Sequence, residues 1–430
     1  MSTHNRHILI TAYAVNPYKG SEDGTGWNIP LELAKRNNIS VITRKNNQPE
    51  IDRFYRENPN LAALKNLTFY YYDLPKWAMF WKKKIGERGY VLYYYLWQMF
   101  IPFFIRANKI QFDIAHALNF HSDSHPQFLW VFGKPVMWGP IGHHRKVPKP
   151  FIKRFYSTKT FWKDRLYNSV KFLMRNLDPF YYISKWTAKR IFVINSKIND
   201  SVRANPKKII ILPAVATNNV ASPPVLHNNY FNVLSVGRFT YMKGFDLTIK
   251  AFATFYHQLE KSDQRKVKLT LVGKGEETNL IKALIQTEGL SSAVKIIKWV
   301  DHKEMPSIYH DSSAFIFGSH EGAGMVVPEA LGYGVPVICF NNEGPGELCD
   351  NSNAIKIDPT TYYEAVHNFA NALNELYQNP GKREEMSRAG VEYAKEKFNW
   401  SYKSNVINEA YDAASLKKHE SLLIKRTRTT

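Results

Sequence analysis

One folding grammar is spelled twice along this chain, and few folds accommodate it. His7–Tyr13 is a short apolar run, followed by the glycine-rich loop Gly20-Ser21-Glu22-Asp23-Gly24-Thr25-Gly26-Trp27, a helical pattern through Leu31, Leu33 and Ala34, and a second apolar run at Ile39–Thr43. Strand, glycine loop, helix and strand in that order open a doubly wound α/β domain. Asp113–Ala117, Pro135–Trp138, Arg190–Ile194 and Lys208–Leu212 read as further strands of the same sheet. Asn218–Tyr230, rich in Asn, Ala, Ser and Pro, then breaks the periodicity, as linkers do. The alternation restarts after it. Phe231–Val236, Lys268–Val272, Val294–Ile297, Ala314–Phe317 and Pro336–Cys339 read as strands, with helices at Asp246–Tyr256, Glu276–Gln286, Lys303–Tyr309 and Val327–Tyr333. Two Rossmann-like doubly wound domains are predicted, at 1–217 and 231–398, with the linker at 218–230 and a cleft between them. A helix at 399–415 is a candidate to cross back to the first domain, and the basic tail 416–430 is assigned no fold.

Charge divides the chain along the same line. The first 215 residues carry 34 lysines and arginines against 13 acidic residues, whereas the remainder carries 24 of each. Arg145–Lys208 alone sets 17 basic residues against Asp164, Asp178 and Asp200. Such asymmetry points to an anionic partner of the first half: a phospholipid surface, a phosphorylated lipid acceptor or nucleic acid. No recognition-helix, zinc or RNA-sheet motif supports the last. Tyr90–Ile105 is a charge-free aromatic run, with Lys82, Lys83, Lys84 and Arg88 before it and Arg106 and Lys109 after. It suits a helix at a bilayer interface and a buried helix equally. Cys339 and Cys349 fit no disulfide or metal framework, so a reducing, cytoplasmic setting is expected, with attachment at the inner face of a membrane.

Two segments carry chemistry. In Val236-Gly237-Arg238-Phe239-Thr240-Tyr241-Met242-Lys243-Gly244-Phe245-Asp246, a strand runs into Gly237 and Asp246 is a natural N-cap for the next helix. Arg238 and Lys243 lie between them, a guanidinium and an ammonium suited to a diphosphate. The second segment runs from Ser319 to Leu331. Gly322 and Gly324 allow close backbone approach, and Pro328 suits the first turn of a helix whose free amides favour anions. Glu321 and Glu329 bracket this loop, placed to hold hydroxyls on either side of a diphosphate.

The run EGAGMVVPEALGYGVPVI, with VGRFTYMKGFDLTIKAF, LTLVGKGEE and SIYHDSSAFIFGSHEGAG upstream, resembles the donor site of retaining GT-B glycosyltransferases of family four, the glycosyl transferases group 1. The likeness is dense over about residues 231–350 and looser before. It implies a GT-B fold and a nucleoside-diphosphate sugar donor. Glu321 would hold the transferred sugar, Glu329 the ribose, Arg238 and Lys243 the diphosphate, and the backbone of Gly237, Gly322, Ala323, Gly324, Met325 and Val326 would line the site. Base recognition is expected near Lys298–Val300, hence Trp299 and Val300. The opening GSEDGTGW resembles one branch of the family, which gives Gly24 and Gly26 a place toward phosphate and acceptor. FGKPVMWGPIG resembles the same branch, but His143 replaces its second glycine. A histidine contacting the donor sugar is expected, and His116 and His121 both qualify. Pro213-Ala214-Val215-Ala216 replaces the family's NGV.

Asp-x-Asp is absent from the sequence, so no metal and no other cofactor is expected beside the donor. Leaving-group charge then falls to Arg238, Lys243 and loop amides. The resemblance implies same-face attack by the acceptor, with Glu321 positioning the sugar. The acceptor is expected to be a glycan or a lipid-linked glycan of bacterial lipopolysaccharide or exopolysaccharide synthesis. A GT-B epimerase or sugar-phosphate synthase is the alternative, and a basic nucleic-acid-binding protein a remoter one.

Overall fold

A computed structural model describes residues 6–75, 77–78, 80, 84, 87–118, 122–214, 216, 230–298, 300–301 and 304–426. The predicted linker at 218–230, save residue 230, and the candidates His121 and Trp299 lie outside them. Seven strands come first in the chain: β1 (His7–Thr11), β2 (Asn38–Thr43), β3 (Leu67–Tyr71), β4 (Ile114–Ala117), β5 (Val136–Ile141), β6 (Arg190–Val193) and β7 (Ile209–Ile211). They form one parallel sheet in the order β3-β2-β1-β4-β5-β6-β7. Six more follow: β8 (Phe231–Val236), β9 (Val267–Val272), β10 (Val294–Ile297), β11 (Ala314–Phe317), β12 (Val337–Phe340) and β13 (Ala354–Ile357). Their sheet is also parallel, in the order β10-β9-β8-β11-β12-β13. In both, the order reverses beside the first strand, where open α/β sheets bind ligands.

Eight helices matter below: α1 (Ser21–Leu33), α2 (Glu87–Ala107), α3 (Thr158–Leu177), α4 (Pro179–Thr187), α5 (Phe245–His257), α6 (Val326–Gly332), α7 (Tyr362–Gln378) and α8 (Trp400–Arg426). Strand β4 shows why buried runs were legible: all four of its residues are buried, as parallel strands covered on both faces require. The edge strand β3 escaped the sequence reading because only Leu67 of its five residues is buried.

The chain divides into two units. One comprises residues 1–143, 170–214 and 400–430, and the other 144–169 and 215–399. The predicted first domain, 1–217, is thus corrected: residues 144–169 belong with the second unit. Val147, Phe151, Ile152, Tyr156 and Phe161 enter its core beside Leu247, Phe340 and Tyr362. Tyr156 donates its hydroxyl to Asp246 at 2.6 Å. Asp246 is therefore not the N-cap of α5. Gly244 holds that position, and Asp246 lies inside the helix as a buried carboxylate. Burial pushes its carboxyl above the ordinary range, and the hydroxyls of Tyr156 and Tyr362 partly offset this.

Helix α8 groups with the first unit. Tyr411 bonds His116 at 2.7 Å, Asn408 accepts from Asn37 at 2.9 Å, and Lys403 reaches the Pro213 carbonyl. The helix continues to Arg426, beyond the expected 415, so most of the predicted structureless tail is helical. Tyr90–Ile105 falls in α2, where Tyr93, Tyr94, Trp97, Ile101 and Ile105 are buried and Tyr90, Leu92, Phe100 and Phe103 exposed. Among the described residues no helix is long and apolar enough to cross a membrane.

Candidate functional site

Three loops of the second unit meet, each at the carboxyl end of a strand. The first leaves β8 at Gly237, the second leaves β11 at Gly318, and the third leaves β12 at Asn341. Gly244 makes the first junction possible. Its φ is +66°, and a Cβ there would lie 1.9 Å from the Gly318 carbonyl oxygen, so no side chain fits. His320 N–H and the Ser319 hydroxyl both donate to the Met242 carbonyl, at 2.8 and 3.2 Å. Across the second junction, Asn342 donates to the Ser319 carbonyl at 2.9 Å and accepts from Gly344 N–H at 3.1 Å. Gly344 approaches so closely that a Cβ would meet the Glu321 carbonyl oxygen at 1.9 Å.

Onto this frame the two signature segments bring their side chains. Lys243 Nζ lies 2.6 Å from Glu321 Oε1, with the side chains 19% and 11% exposed. The ammonium also sits 5.2 Å from the centre of the Phe317 ring, and its stem runs beside Gly237. Arg238 is exposed at the mouth of the same loop. Gly322 and Gly324 are buried, with Ala323, Met325 and Val326 half-buried beside them. Met325 caps α6, and Glu329, in its first turn, accepts a hydrogen bond from the buried Tyr309 hydroxyl at 3.0 Å. Burial and the Glu329 carboxylate push that phenol far above its ordinary range, so it remains a donor. Val300 packs half-buried against the core cluster under α6. The arrangement presents two cationic groups, a short helix start and two carboxylates around one set of loops.

Three of the other sequence candidates lie in the first unit. Gly24 and Gly26 are not in a loop: α1 begins at Ser21 and includes both. Glu22 and Asp23 in its first turn complement the helix dipole, which the glycine count obscured. Gly24 serves packing there, since a Cβ would sit 2.6 Å from the Lys19 carbonyl. His116 is corrected from a donor-sugar contact to a core residue. It is wholly buried, with Nδ1 at 2.7 Å from the Tyr411 hydroxyl and Nε2 at 2.7 Å from the Gly139 carbonyl. Burial lowers its pKa to about 4, so the ring is neutral.

Sequence reasoning missed His144, Arg145 and Glu343. His144 Nδ1 accepts the Gly322 N–H at 3.2 Å, and Arg145 pairs with Glu343 at 3.0 Å, next to Gly344. The only signal was the departure from the glycine pattern at His143, one residue away, and His143 itself pairs with Asp123 in the first unit at 3.0 Å.

Residues 220–393 match the family described as glycosyl transferases group 1. Among curated relatives, the lipopolysaccharide core biosynthesis glycosyltransferase LpsE of Rhizobium meliloti is 29% identical over 161 residues, 37% of this chain and 43% of its own. The matches span less than two thirds of the length of these first relatives. Sucrose-phosphate synthase from Thermosynechococcus elongatus superposes with a TM-score of 0.64 at 17% identity, over 96% of this chain and 100% of that one. Anabaena HepE, solved with UDP and glucose, gives 0.59 at 16%, over 95% and 100%. At these identities the structural likeness speaks for the fold. The sequence match thus covers the stretch that holds the Glu321 and Glu329 loop, which is similar to the glycosyl transferases group 1 family, and the chain has the GT-B fold.

Proposed function

We propose that this protein is a retaining glycosyltransferase that needs no metal, moving a sugar from a nucleoside-diphosphate donor to a glycan or lipid-linked glycan at the cytoplasmic face of a bacterial membrane. The observation that carries the reading is the Lys243–Glu321 pair, braced by three loops and followed by Glu329 on α6. Lys243 and Arg238 take charge from the departing diphosphate, supported by backbone amides of the 322–326 loop. Prearranged donors in a dry site are each worth about 2.7–4 kcal/mol of barrier. Glu321 holds sugar hydroxyls, and Glu329, oriented by Tyr309, holds the ribose diol. The acceptor hydroxyl attacks from the side the diphosphate leaves, giving up its proton to a leaving phosphate oxygen, so no protein nucleophile is required.

Related proteins support the substrate classes: HepE was solved with UDP and glucose, and LpsE is named for lipopolysaccharide core synthesis. The test is a thermal-shift panel of UDP, GDP, ADP and their sugars, followed by transfer with the stabilising donor and NMR of the product anomeric centre. A metal chelator in the assay leaves the rate unchanged on this reading. An inverted anomeric centre overturns retention, and stabilisation by none of the nucleotides overturns the donor site.

A further inference from the structure

We infer that helix α3 and the adjoining α4 form a lipid-facing surface that seats the protein on an anionic bilayer. This deepens the membrane part of the reading above and is independent of the donor chemistry. The observation is an inverted helix. Trp162, Leu166, Val170, Leu173 and Leu177 are 64%, 55%, 45%, 51% and 72% exposed. At about 100° per residue they fall within an arc of about 80°. The opposite side of α3 carries Asp164, Asn168, Lys171 and Arg175, and these polar side chains point inward.

Their inward placement is satisfied by partners. Asp164 pairs with Arg165 at 3.0 Å and accepts from the Tyr241 hydroxyl at 3.4 Å, while Asn168 donates to the Asp164 carbonyl at 2.9 Å. Lys171 and Arg175 both serve the fully buried Asp123, Lys171 at 3.7 Å. Burial alone would raise the Asp123 pKa, but His143, Lys171 and Arg175 hold it below the ordinary carboxylate range. A helix facing water shows the reverse arrangement, apolar in and polar out. Polar groups bonded inside and an unbroken apolar stripe outside fit an apolar medium on the outer side.

The surroundings select the medium. Tyr167 and Phe172 flank the stripe, and α4 adds Tyr182 and Trp186, the latter 84% exposed. The Tyr182 hydroxyl donates to the Asn176 carbonyl at 3.2 Å, tying α4 to the end of α3. Exposed Lys153, Arg154, Lys159, Lys163 and Lys189 supply basic neighbours along the same stretch of chain. Aromatic and aliphatic side chains with basic ones suit a helix lying in the headgroup layer of an anionic membrane.

The test is sedimentation of the full chain with mixed phosphatidylglycerol–phosphatidylethanolamine vesicles and with phosphatidylcholine vesicles, comparing wild type with Leu166→Ser/Leu173→Ser. Both side chains are exposed, so circular dichroism and nucleotide binding in solution should not change. The expected result is binding to the anionic vesicles, weakened about tenfold or more by the double substitution. A blue shift of tryptophan fluorescence that Trp162→Ser or Trp186→Ser diminishes supports the same conclusion. Equal vesicle binding by wild type and the double variant overturns it. So does a lipid-free dimer that the substitutions dissociate, which would assign the face to a second copy. Substitution-sensitive vesicle binding by a protein that binds no nucleotide would refute the donor reading and leave this one intact.

Discussion

Glu321→Gln should tighten the binding of a free nucleoside diphosphate while abolishing sugar transfer. Lys243 bonds Glu321 at 2.6 Å, and both side chains are mostly shielded. A diphosphate competes for that ammonium and is repelled by the carboxylate beside it. A charge-assisted hydrogen bond of this kind is worth about 1.5–3 kcal/mol net. Water and the remaining amide recover part of it in the variant, leaving a gain of about 1–2 kcal/mol for the diphosphate, or about 5- to 30-fold in Kd. The nucleotide sugar gains less, because the glutamine gives weaker bonds to sugar hydroxyls. Turnover falls by about two orders of magnitude or more, since the lost interaction strengthens as charge develops. Calorimetry with the diphosphate that stabilises the wild type reads the first effect. Lys243→Met/Glu321→Gln separates the causes, because the gain should vanish once the ammonium is gone. An unchanged or weaker Kd in Glu321→Gln refutes the competition, and near-normal turnover refutes the role of Glu321.

Further predictions address the frame of the site. Gly244→Ala combines an unfavourable positive φ with a backbone clash at Gly318, and should cost about 2 kcal/mol or more in urea unfolding along with donor binding. His144→Ala loosens the Gly322 loop and should lower kcat/KM about tenfold, the worth of one hydrogen bond, with His144→Asn recovering much of it and unfolding little changed. His116→Ala should instead lower stability by about 2–4 kcal/mol and leave the donor KM unmoved, as expected of a core histidine. Burial lowers the pKa of His116, His125 and His320 to about 4 each, so the unfolded chain binds more protons than the folded one between about pH 6.5 and 4. Stability from these groups is complete above that window and is lost as pH falls through it. Urea midpoints at pH 7.5 and 5 should show the drop. His320→Phe, which keeps the ring contacts with Phe151 and Phe340, should reduce it.

Much of the architecture was legible because parallel sheets announce themselves. Strands such as Ala314–Phe317 are buried on both faces and therefore appear as unbroken apolar runs, and helices such as α7 keep a clear periodicity. The loops of the candidate site were legible for a different reason. Arg238, Lys243, Glu321 and Glu329 are close in sequence to glycines that only close backbone approach explains, so chemistry and conformation point to the same short segments.

What sequence order could not convey is where a segment packs once the chain has closed. Residues 144–169 follow the first sheet in the chain, yet their aromatic side chains find the core of the second unit, which brings His144 to Gly322. His116 carries the same functional groups in a donor site or in a core. Only the Tyr411 hydroxyl, 295 residues away, decides between them by taking up its Nδ1. The composition of α3 shows its mixture of apolar and basic residues, but not which face is turned inward. That face is set by buried partners, above all Asp123, because an unpaired charge inside costs more than an exposed leucine outside. Local pattern thus determined the elements and the segments of the candidate site. Long-range pairing of buried polar groups decided which histidine serves the loop and which surface is left apolar.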